Sequence, residues 1–312
     1  MAATLRLPPG IQVLERGWLS SNNIVLQDAD SCALVDSGYL THAPQTLALL
    51  SHALQGRQLD VLLNTHLHSD HCGGNALLQQ AYACQTWVPV QEMDAVQQWD
   101  EQRLSFQATG QQCSRFQCDG GLQHGQRWQL AGLTWEVIQA PGHDPHSIML
   151  YCVGEGILIS ADALWENGFG VIFPELEGGS GFAEQAQVLA LIADLNPRIV
   201  IPGHGQPFTD VSAALKRARG RLDYLSAQPQ RNARNALKVL IAFMLLDQRQ
   251  ITLAQLNLQL FSSRLMQAAA RQLLPADQSL DSAWVEDLLA QLAAELVSAG
   301  VAKLEADSLI SC

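Results

Sequence analysis

Three histidines and an aspartate stand within six residues, at His66, His68, Asp70 and His71. A short apolar run precedes them and a helical pattern follows, which places them at a strand-to-helix turn. Side chains two residues apart share a face in an extended segment, so the rings of His66 and His68 point to the same side. Asp70 and His71 lie beyond the bend and are expected to face a second point close by. The spacing therefore predicts one pair for each of two metal ions, rather than a surface turn that happens to hold histidines.

The pattern H-x-H-x-D-H resembles the central motif of the metallo-β-lactamase superfamily of binuclear metallohydrolases. Three later stretches resemble the family's next motifs, in the family's order: Pro-Gly-His ending at His143, Ala161-Asp162 where the family usually has Gly-Asp, and Pro-Gly-His ending at His204. The resemblance implies that His66, His68, His143 and Asp162 hold one metal, while Asp70, His71, His204 and Asp162 hold the other.

The resemblance also implies a carboxylate at Asp162 that bridges both ions, which disfavours the antibiotic-hydrolysing members that have a cysteine there. Imidazoles with few carboxylates suit two Zn²⁺ ions per chain, with Fe or Mn as alternatives. Two ions that share a water lower its pKa from ~15.7 towards ~7, so a metal-bridging hydroxide is the expected nucleophile.

Several other residues are candidates for supporting or substrate roles. Asp36 ends the third β-rich run, where the resemblance implies that it supports the metal-binding loop by hydrogen bonding; a turn-capping role is the alternative. Asp70 is a candidate for moving a proton to the leaving group, although ligation would lower its basicity. Directly after Asp162 follow the candidate substrate residues Trp165, Glu166 and Asn167, with core packing as the alternative for Trp165. His146 is expected either to touch substrate or to fix its loop by hydrogen bonding.

The charge of the chain is unevenly distributed. Of the net charge of −12, residues 1–213 carry 7 Lys and Arg against 21 Asp and Glu, a net of −14, and the remainder is +2. This favours a small-molecule substrate and makes nucleic acid a less favoured partner, because an acidic surface repels polyanions at long range. A basic stretch over residues 216–238 is interpreted as a solvated helix face, with a nucleic-acid or acidic-ligand patch as the alternative.

The seven cysteines are an odd number without the close framework of a small secreted domain, which predicts free thiols in a reducing compartment. Cys113 and Cys118 are expected to be ordinary thiols, and Cys72 a neighbour of the ligands only. No apolar signal segment opens the chain, and no apolar run is long enough to cross a bilayer, so a cytoplasmic protein is expected.

The predicted fold is α/β (α+β). An opening antiparallel meander and later alternating strands, together with the resemblance, imply an αββα sandwich over residues 1–213. Residues 214–312 are expected to form a mainly helical domain. Thr252-x-x-Gln255 is a plausible capping box, a helix with an apolar face ends near Gly300, and a terminal hairpin follows. Helices followed by a hairpin resemble a winged-helix appendage. The sequence leaves the oligomeric state open, a homodimer included.

The leading hypothesis is a hydrolase of small thioesters, esters or lactones that resembles glyoxalase II. A phosphodiesterase or endoribonuclease of the same superfamily is the second hypothesis. A regulatory protein that keeps the metals without useful turnover is the third, and a mononuclear iron oxygenase is also conceivable within the superfamily.

Overall fold

The computed structural model describes residues 5–312 of the chain. Two β-sheets face each other across a shared apolar core, and helices cover their outer faces. The first sheet has the strand order β1-β2-β3-β4-β5-β6, antiparallel from β1 to β3 and parallel from β3 to β6. Its strands are β1 (Ile11–Leu14), β2 (Asn23–Gln27), β3 (Cys32–Val35), β4 (Val61–Leu63), β5 (Gln85–Pro89) and β6 (Gly120–Leu122).

The second sheet has the order β11-β10-β9-β8-β7, in which only the β10–β11 pair is parallel. Its strands are β7 (Arg127–Leu130), β8 (Leu133–Gln139), β9 (Ile148–Cys152), β10 (Ile157–Ala161) and β11 (Ile199–Pro202). Side chains from both sheets, such as Val35 and Ile159, belong to one buried cluster. Side chains alternate between the two faces of a strand, so the strand residues outside this cluster point away from it. Helices bury those residues on the outer faces of the sheets.

The α-helices between residues 43 and 226 are α1 (Ala43–Leu54), α2 (Ser69–Cys72), α3 (Asn75–Tyr82), α4 (Met93–Gln98), α5 (Phe106–Thr109), α6 (Phe182–Leu195) and α7 (Val211–Ser226). Helices α1 and α3 bury Leu50 and Leu78 against the first sheet. Helices α6 and α7 bury Leu189 and Leu222 against the second sheet. The arrangement is the αββα sandwich that the sequence predicted.

The remaining elements form a second apolar core. They are α8 (Pro229–Gln248), β12 (Gln250–Thr252), α9 (Leu253–Ser262), α10 (Arg264–Leu273), α11 (Ser282–Ser298), β13 (Ala302–Glu305) and β14 (Ser308–Ser311). The predicted capping box at Thr252 and Gln255 is present. The expected hairpin pairs β13 with β14, and β12 adds a third strand that the sequence did not reveal. The winged-helix resemblance and the division at residue 213 stay predictions, and the buried face of α7 packs with α6 against the second sheet rather than in this core.

Two local expectations differ from the structure. The predicted helix from Val90 begins as a 3-10 turn over Val90–Glu92 before α4. The unpatterned stretch from Asp100 to Gln126 contains the four-residue helix α5 and the edge strand β6. The 3-10 turn, α5 and β6 are each too short to show a hydrophobic period in the sequence. Their conformation depends on packing against neighbouring segments. No helix in residues 5–312 combines the length and apolar character needed to cross a membrane.

Candidate metal centre

The predicted ligands come from five places in the chain that all follow strand ends. His66 and His68 lie in the turn after β4, and Asp70 and His71 lie in α2. His143 follows β8, Asp162 follows β10 and His204 follows β11. The structure brings all seven side chains into one cluster at the same edge of the two sheets.

Three imidazoles form the first half of the cluster. The Nδ1 atom of His68 lies 3.1 Å from Nε2 of His66 and 2.8 Å from Nε2 of His143. Nδ1 of His143 faces the carbonyl oxygen of Val171, to which it donates a hydrogen bond when protonated. That bond leaves Nε2 of His143 unprotonated and directed at the other two rings. A single proton on His68 can satisfy only one of its two contacts, whereas a cation among the three nitrogens would satisfy all of them.

The second half of the cluster contains Asp70, His71 and His204. Oδ2 of Asp70 lies 3.1 Å from Nε2 of His204 and 3.8 Å from Nε2 of His71. Within residues 5–312, the buried Nε2 atom of His71 has no hydrogen-bond partner. An orphaned buried nitrogen between carboxylates is the feature expected of a ligand position.

Asp162 lies between the two halves, and each of its oxygens faces a different half. Oδ2 is 3.5 Å from Nε2 of His143, while Oδ1 is 3.5 Å from Nε2 of His71 and 3.9 Å from Nε2 of His204. One carboxylate thus faces both halves of the cluster. The close approach requires a glycine at position 203, because a Cβ atom there would overlap Oδ1 of Asp162.

Asp36 forms hydrogen bonds that support the loop on which the candidate ligands lie. Its Oδ1 accepts the backbone N–H of Thr65 at 2.8 Å, and its Oδ2 accepts the Thr65 hydroxyl at 2.7 Å. Nδ1 of His71 donates to the same Oδ2 at 2.8 Å. Asp36 adopts a φ of 59°, and Ala161, beside the ligand Asp162, adopts a φ of 46°. Both are in the left-handed region, which accounts for the family's usual glycine at the position of Ala161.

The electrostatics of the two halves differ. Burial lowers the pKa of His68 and of His143 to about 4, so both rings are neutral at pH 7. Burial also lowers the pKa of His71, but the carboxylates of Asp162, Asp36 and Asp70 outweigh it and raise that pKa well above its usual value. In the absence of a metal, the His71 proton therefore supplies positive charge to three carboxylates.

The donor set fits metal ions. Burial of several carboxylates requires compensating positive charge, and one imidazolium cannot balance three of them. Neutral imidazoles with Nε2 or Nδ1 directed inward are the usual ligands of zinc. Three groups of side chains have ligand atoms that lie within 4.8 Å of one another: His66, His68 and His143; His66, His71 and Asp162; and Asp70, His71 and His204.

Comparison with known proteins shows which family this chain belongs to. A family model for the metallo-β-lactamase superfamily matches residues 16–204, more than half of the chain. This chain belongs to the metallo-β-lactamase superfamily. The family that the sequence motifs resembled is therefore confirmed. Members of this superfamily generally bind metal ions, typically zinc.

Relatives and solved structures agree with this assignment. The β-lactamase-like protein 2 homolog of Drosophila melanogaster is 27% identical over 190 residues, which span 59% of this chain and 58% of that protein. The hydroxyacylglutathione hydrolase of Pseudomonas aeruginosa is 30% identical over 152 residues, 48% of this chain and 49% of that enzyme. The match thus spans about half the length of these relatives. The crystal structure of a β-lactamase domain protein from Burkholderia ambifaria has the same fold, with a TM-score of 0.59 at 19% identity, covering 99% of this chain and 94% of that one.

Two cavities adjoin the cluster of candidate ligands. The first, of about 340 Å³, extends past His146, Glu92 and Arg103. The second, of about 250 Å³, extends beneath α8 and is lined by Trp18, Phe169 and Phe243 among others. Four residues line both cavities: His68, Thr109, His143 and Phe173. The cluster therefore lies where two small-molecule-sized spaces meet.

Of the three candidate substrate residues that follow Asp162, the structure brings only Trp165 to the cluster. Trp165 lines the second cavity and its Nε1 donates a hydrogen bond to Oδ1 of Asp162 at 3.1 Å, so it contacts the cluster directly. Glu166 and Asn167 are exposed and line neither cavity, because the chain turns outward before returning at Gly168. The structure therefore does not bring these two residues to the cluster.

The position of His146 is compatible with both expected roles, fixing its loop and contacting substrate. Its backbone N–H donates to Oδ1 of Asp144 at 2.8 Å, which fixes the loop. Its ring lines the first cavity, with Nε2 located 3.7 Å from Glu92. Burial, reinforced by the nearby Asp144, raises the pKa of Glu92 to about 7.

Sequence reasoning missed several residues of the site. Trp18, from the β1–β2 loop, stacks on the ring of His204 with 5.3 Å between centroids and an interplanar angle of 9°. Phe173 packs edge-on against His68 at 5.4 Å. Neither residue belongs to a motif, and no pattern in the sequence indicated that these distant loops meet. Their aromatic rings cover the cluster and would exclude water from it.

The basic stretch does not form a continuous patch. Arg234 and Lys238 both pair with Glu295 of α11, and Arg231 stacks on Tyr224 at 3.9 Å. These three head groups therefore have separate partners within the protein, which disfavours the alternative of a continuous nucleic-acid surface. The seven cysteines are all free, and Sγ of Cys72 lies 3.8 Å from Sγ of Cys113.

Proposed function

We propose that this protein is a binuclear metal-dependent hydrolase that acts on a small thioester, ester or lactone, as the glyoxalase II resemblance suggests. The observation that carries the proposal is the position of Asp162 between two sets of inward-facing ligands, at the meeting point of two cavities. A thioester or ester has two arms that extend from its scissile carbonyl, and the two cavities provide a space for each arm.

The proposed ligands divide as the geometry suggests. His66, His68 and His143 would hold one ion, and Asp70, His71 and His204 the other, with Asp162 shared between them. A bound pair of zinc ions supplies a water of lowered pKa and a Lewis acid for the substrate carbonyl; iron and manganese are alternatives to zinc.

The remaining residues position these groups. Asp36 keeps the proton of His71 on Nδ1 and so leaves Nε2 free to bind. Trp165 fixes the carboxylate of Asp162 through its Nε1–H, and Trp18 restrains the ring of His204 by stacking. Asp70, which also contacts His204, is the proposed carrier of a proton to the leaving group. Fixed orientation of the ligands is needed because small displacements of reacting groups cost large factors in rate.

The acidic field of residues 1–213 and the dispersed basic stretch favour a small substrate over a nucleic acid. We extend the proposal to the chain's organisation, with residues 1–213 catalytic and residues 214–312 an appendage that closes the second cavity. A cytoplasmic location stays a prediction that the seven free thiols support.

The direct test offers a panel of acyl thioesters, esters and lactones to metal-depleted protein before and after addition of zinc. We expect zinc-dependent turnover of at least one class, and loss of turnover by about 10³-fold or more in His68→Ala, since a ligand of the reactive centre is removed. His52→Ala is the matched control, because His52 is exposed on α1 and should leave turnover unchanged. Equal turnover by His68→Ala and wild type, or hydrolysis of single-stranded RNA alone, would contradict the proposal.

A further inference from the structure

The second cavity contains a cationic group that the metal cluster does not use. Among the described residues that line this cavity, Arg221 is the only lysine or arginine. Aromatic and aliphatic side chains, including Phe169, Phe243 and Leu240, line the same cavity. A charge in such surroundings is costly unless something neutralises it.

Arg221 has no neutralising partner within residues 5–312. Its guanidinium forms none of the ion pairs or hydrogen bonds found there, whereas Arg234 and Lys238 on the next helix both pair with Glu295. Arg221 is partly buried, and burial lowers its pKa, although an arginine remains charged in proteins. The cavity therefore holds an unpaired positive charge.

The side chain of Arg221 is nevertheless held in place. Its guanidinium carbon lies 5.4 Å from the centroid of the Phe169 ring, a cation–π contact. Its Cδ atom passes over Gly168, where an added Cβ atom would lie 3.1 Å from it. Gly168 also has a φ of 129°, which side-chain-bearing residues rarely adopt. The backbone after Asp162 is thus shaped to admit this arginine beside the cluster.

A second donor lies near the same cavity wall. Asn235, on α8, lines the cavity, and its buried Nδ2 has no hydrogen-bond partner in the described part of the chain. The amide nitrogen of this residue therefore carries N–H donors that no atom of the described residues accepts. A planar guanidinium matches the two oxygens of a carboxylate, and an amide on the wall of the same cavity supplies a further donor.

We infer that Arg221, aided by Asn235, binds a carboxylate of the substrate in the second cavity, so that the substrate is a carboxylate-bearing thioester or ester. This inference rests on the proposed function. The aromatic and aliphatic side chains that line the same cavity would accept a hydrocarbon segment that links the carboxylate to the scissile carbonyl. A single cation balances a single negative charge, which matches one carboxylate.

The test measures binding to zinc-loaded protein, and it does not depend on turnover. The probes are three ω-mercapto acids, 3-mercaptopropionate, 4-mercaptobutyrate and 6-mercaptohexanoate, each compared with its neutral amide by calorimetry. The thiol of each pair has the same access to zinc, so the acid-to-amide ratio isolates the carboxylate. We expect at least one acid to bind more tightly than its amide by about 10- to 100-fold, the range for hydrogen bonds to charged groups.

Variants assign that preference to a residue. Arg221→Met keeps an unbranched stem over Phe169 and should abolish the preference while leaving amide binding unchanged; Arg221→Lys should retain part of it. Arg219→Met, which removes an exposed arginine from the same helix, is the control and should keep the full preference. Arg221→Met should also raise KM for an acid-bearing thioester, whereas the control Arg219→Met should leave that KM unchanged.

Several outcomes would overturn the inference. They are a wild-type protein without preference for the acids, an Arg221→Met variant that keeps the preference, and one that loses acid and amide binding equally. Arg221-dependent binding of a short single-stranded RNA more tightly than any acid would also overturn it. If no thioester, ester or lactone is hydrolysed but the preference disappears in Arg221→Met, the proposed function fails and the carboxylate site stands.

Discussion

Replacement of Asp36 by asparagine tests whether a residue that touches no substrate controls one of the two proposed metal positions. Asp36 is buried and accepts three hydrogen bonds, two from Thr65 and one from Nδ1 of His71. An asparagine of the same shape can keep one oxygen for the backbone N–H of Thr65. Its amide group then faces His71, where it can only donate.

The expected consequence is a change of tautomer at His71. With a donor opposite, Nδ1 must accept, and the ring proton moves to Nε2, the atom that faces Asp70 and Asp162. Loss of a hydrogen bond to a charged acceptor costs about 1.5–3 kcal/mol. Loss of a carboxylate that orients a ligating histidine typically weakens metal binding about 10- to 100-fold, or about 1.4–2.7 kcal/mol. The two estimates overlap, and both predict weaker binding at the position formed by Asp70, His71 and His204.

The assay is a competition titration of metal-free protein with Zn²⁺ against a chromophoric chelator, which resolves two binding constants. We expect the binding constant of the position formed by Asp70, His71 and His204 to fall about 10- to 100-fold in Asp36→Asn, while the constant for the three-histidine position changes by less than about threefold. Asp60→Asn is the matched control. Asp60 also accepts a backbone N–H, that of Cys32 at 2.8 Å, but it is exposed and outside the cluster.

The reasoning would be refuted if Asp36→Asn bound two equivalents of zinc as tightly as the wild type. An equal loss at both positions, accompanied by a lower thermal midpoint than that of Asp60→Asn, would assign Asp36 a role in folding rather than in orienting His71.

Two further predictions concern the stability and the packing of the cluster. Because burial depresses the pKa of His68 and His143 to about 4 from 6.5, the unfolded chain binds more protons between these values. Between pH 7.5 and 5 each of these two imidazoles should therefore cost the metal-free protein about 2 kcal/mol of unfolding free energy, while the raised pKa values of Glu92 and His71 act in the opposite direction. In urea denaturation with EDTA present, the change in stability between these pH values should be less unfavourable in His143→Gln than in the wild type by about 2 kcal/mol; an unchanged pH dependence would contradict this. Gly203→Ala should displace Asp162 and weaken zinc binding at least about tenfold, at an overpacking cost of about 1–3 kcal/mol. Gly154→Ala is its control, since a Cβ there meets nothing within 4 Å in the described residues, and equal zinc affinity in the two variants would show that the close approach is unimportant.

The local features of the centre could be predicted from the sequence. His66, His68, Asp70 and His71 are so close in the chain that one turn must bring them together, whatever the rest of the fold does. Strands marked by short apolar runs, the helix over Phe182–Leu195 and the capping box at Thr252 likewise depend on neighbours a few residues apart. The resemblance extended this to His143, Asp162 and His204, and the structure places those residues beside the first four.

What surrounds the ligands was decided only by the tertiary structure. Trp18, Phe173 and Arg221 come from separate loops and helices, and no spacing in the sequence relates them to one another. Glu166 and Asn167 were expected near the site because they follow Asp162, yet the backbone turns them outward within four residues. A motif fixes which side chains can bind a metal because ligand chemistry is a property of residue type. The shape and charge of the space above them depend on how distant segments pack, and the sequence pattern does not record side-chain direction across such contacts.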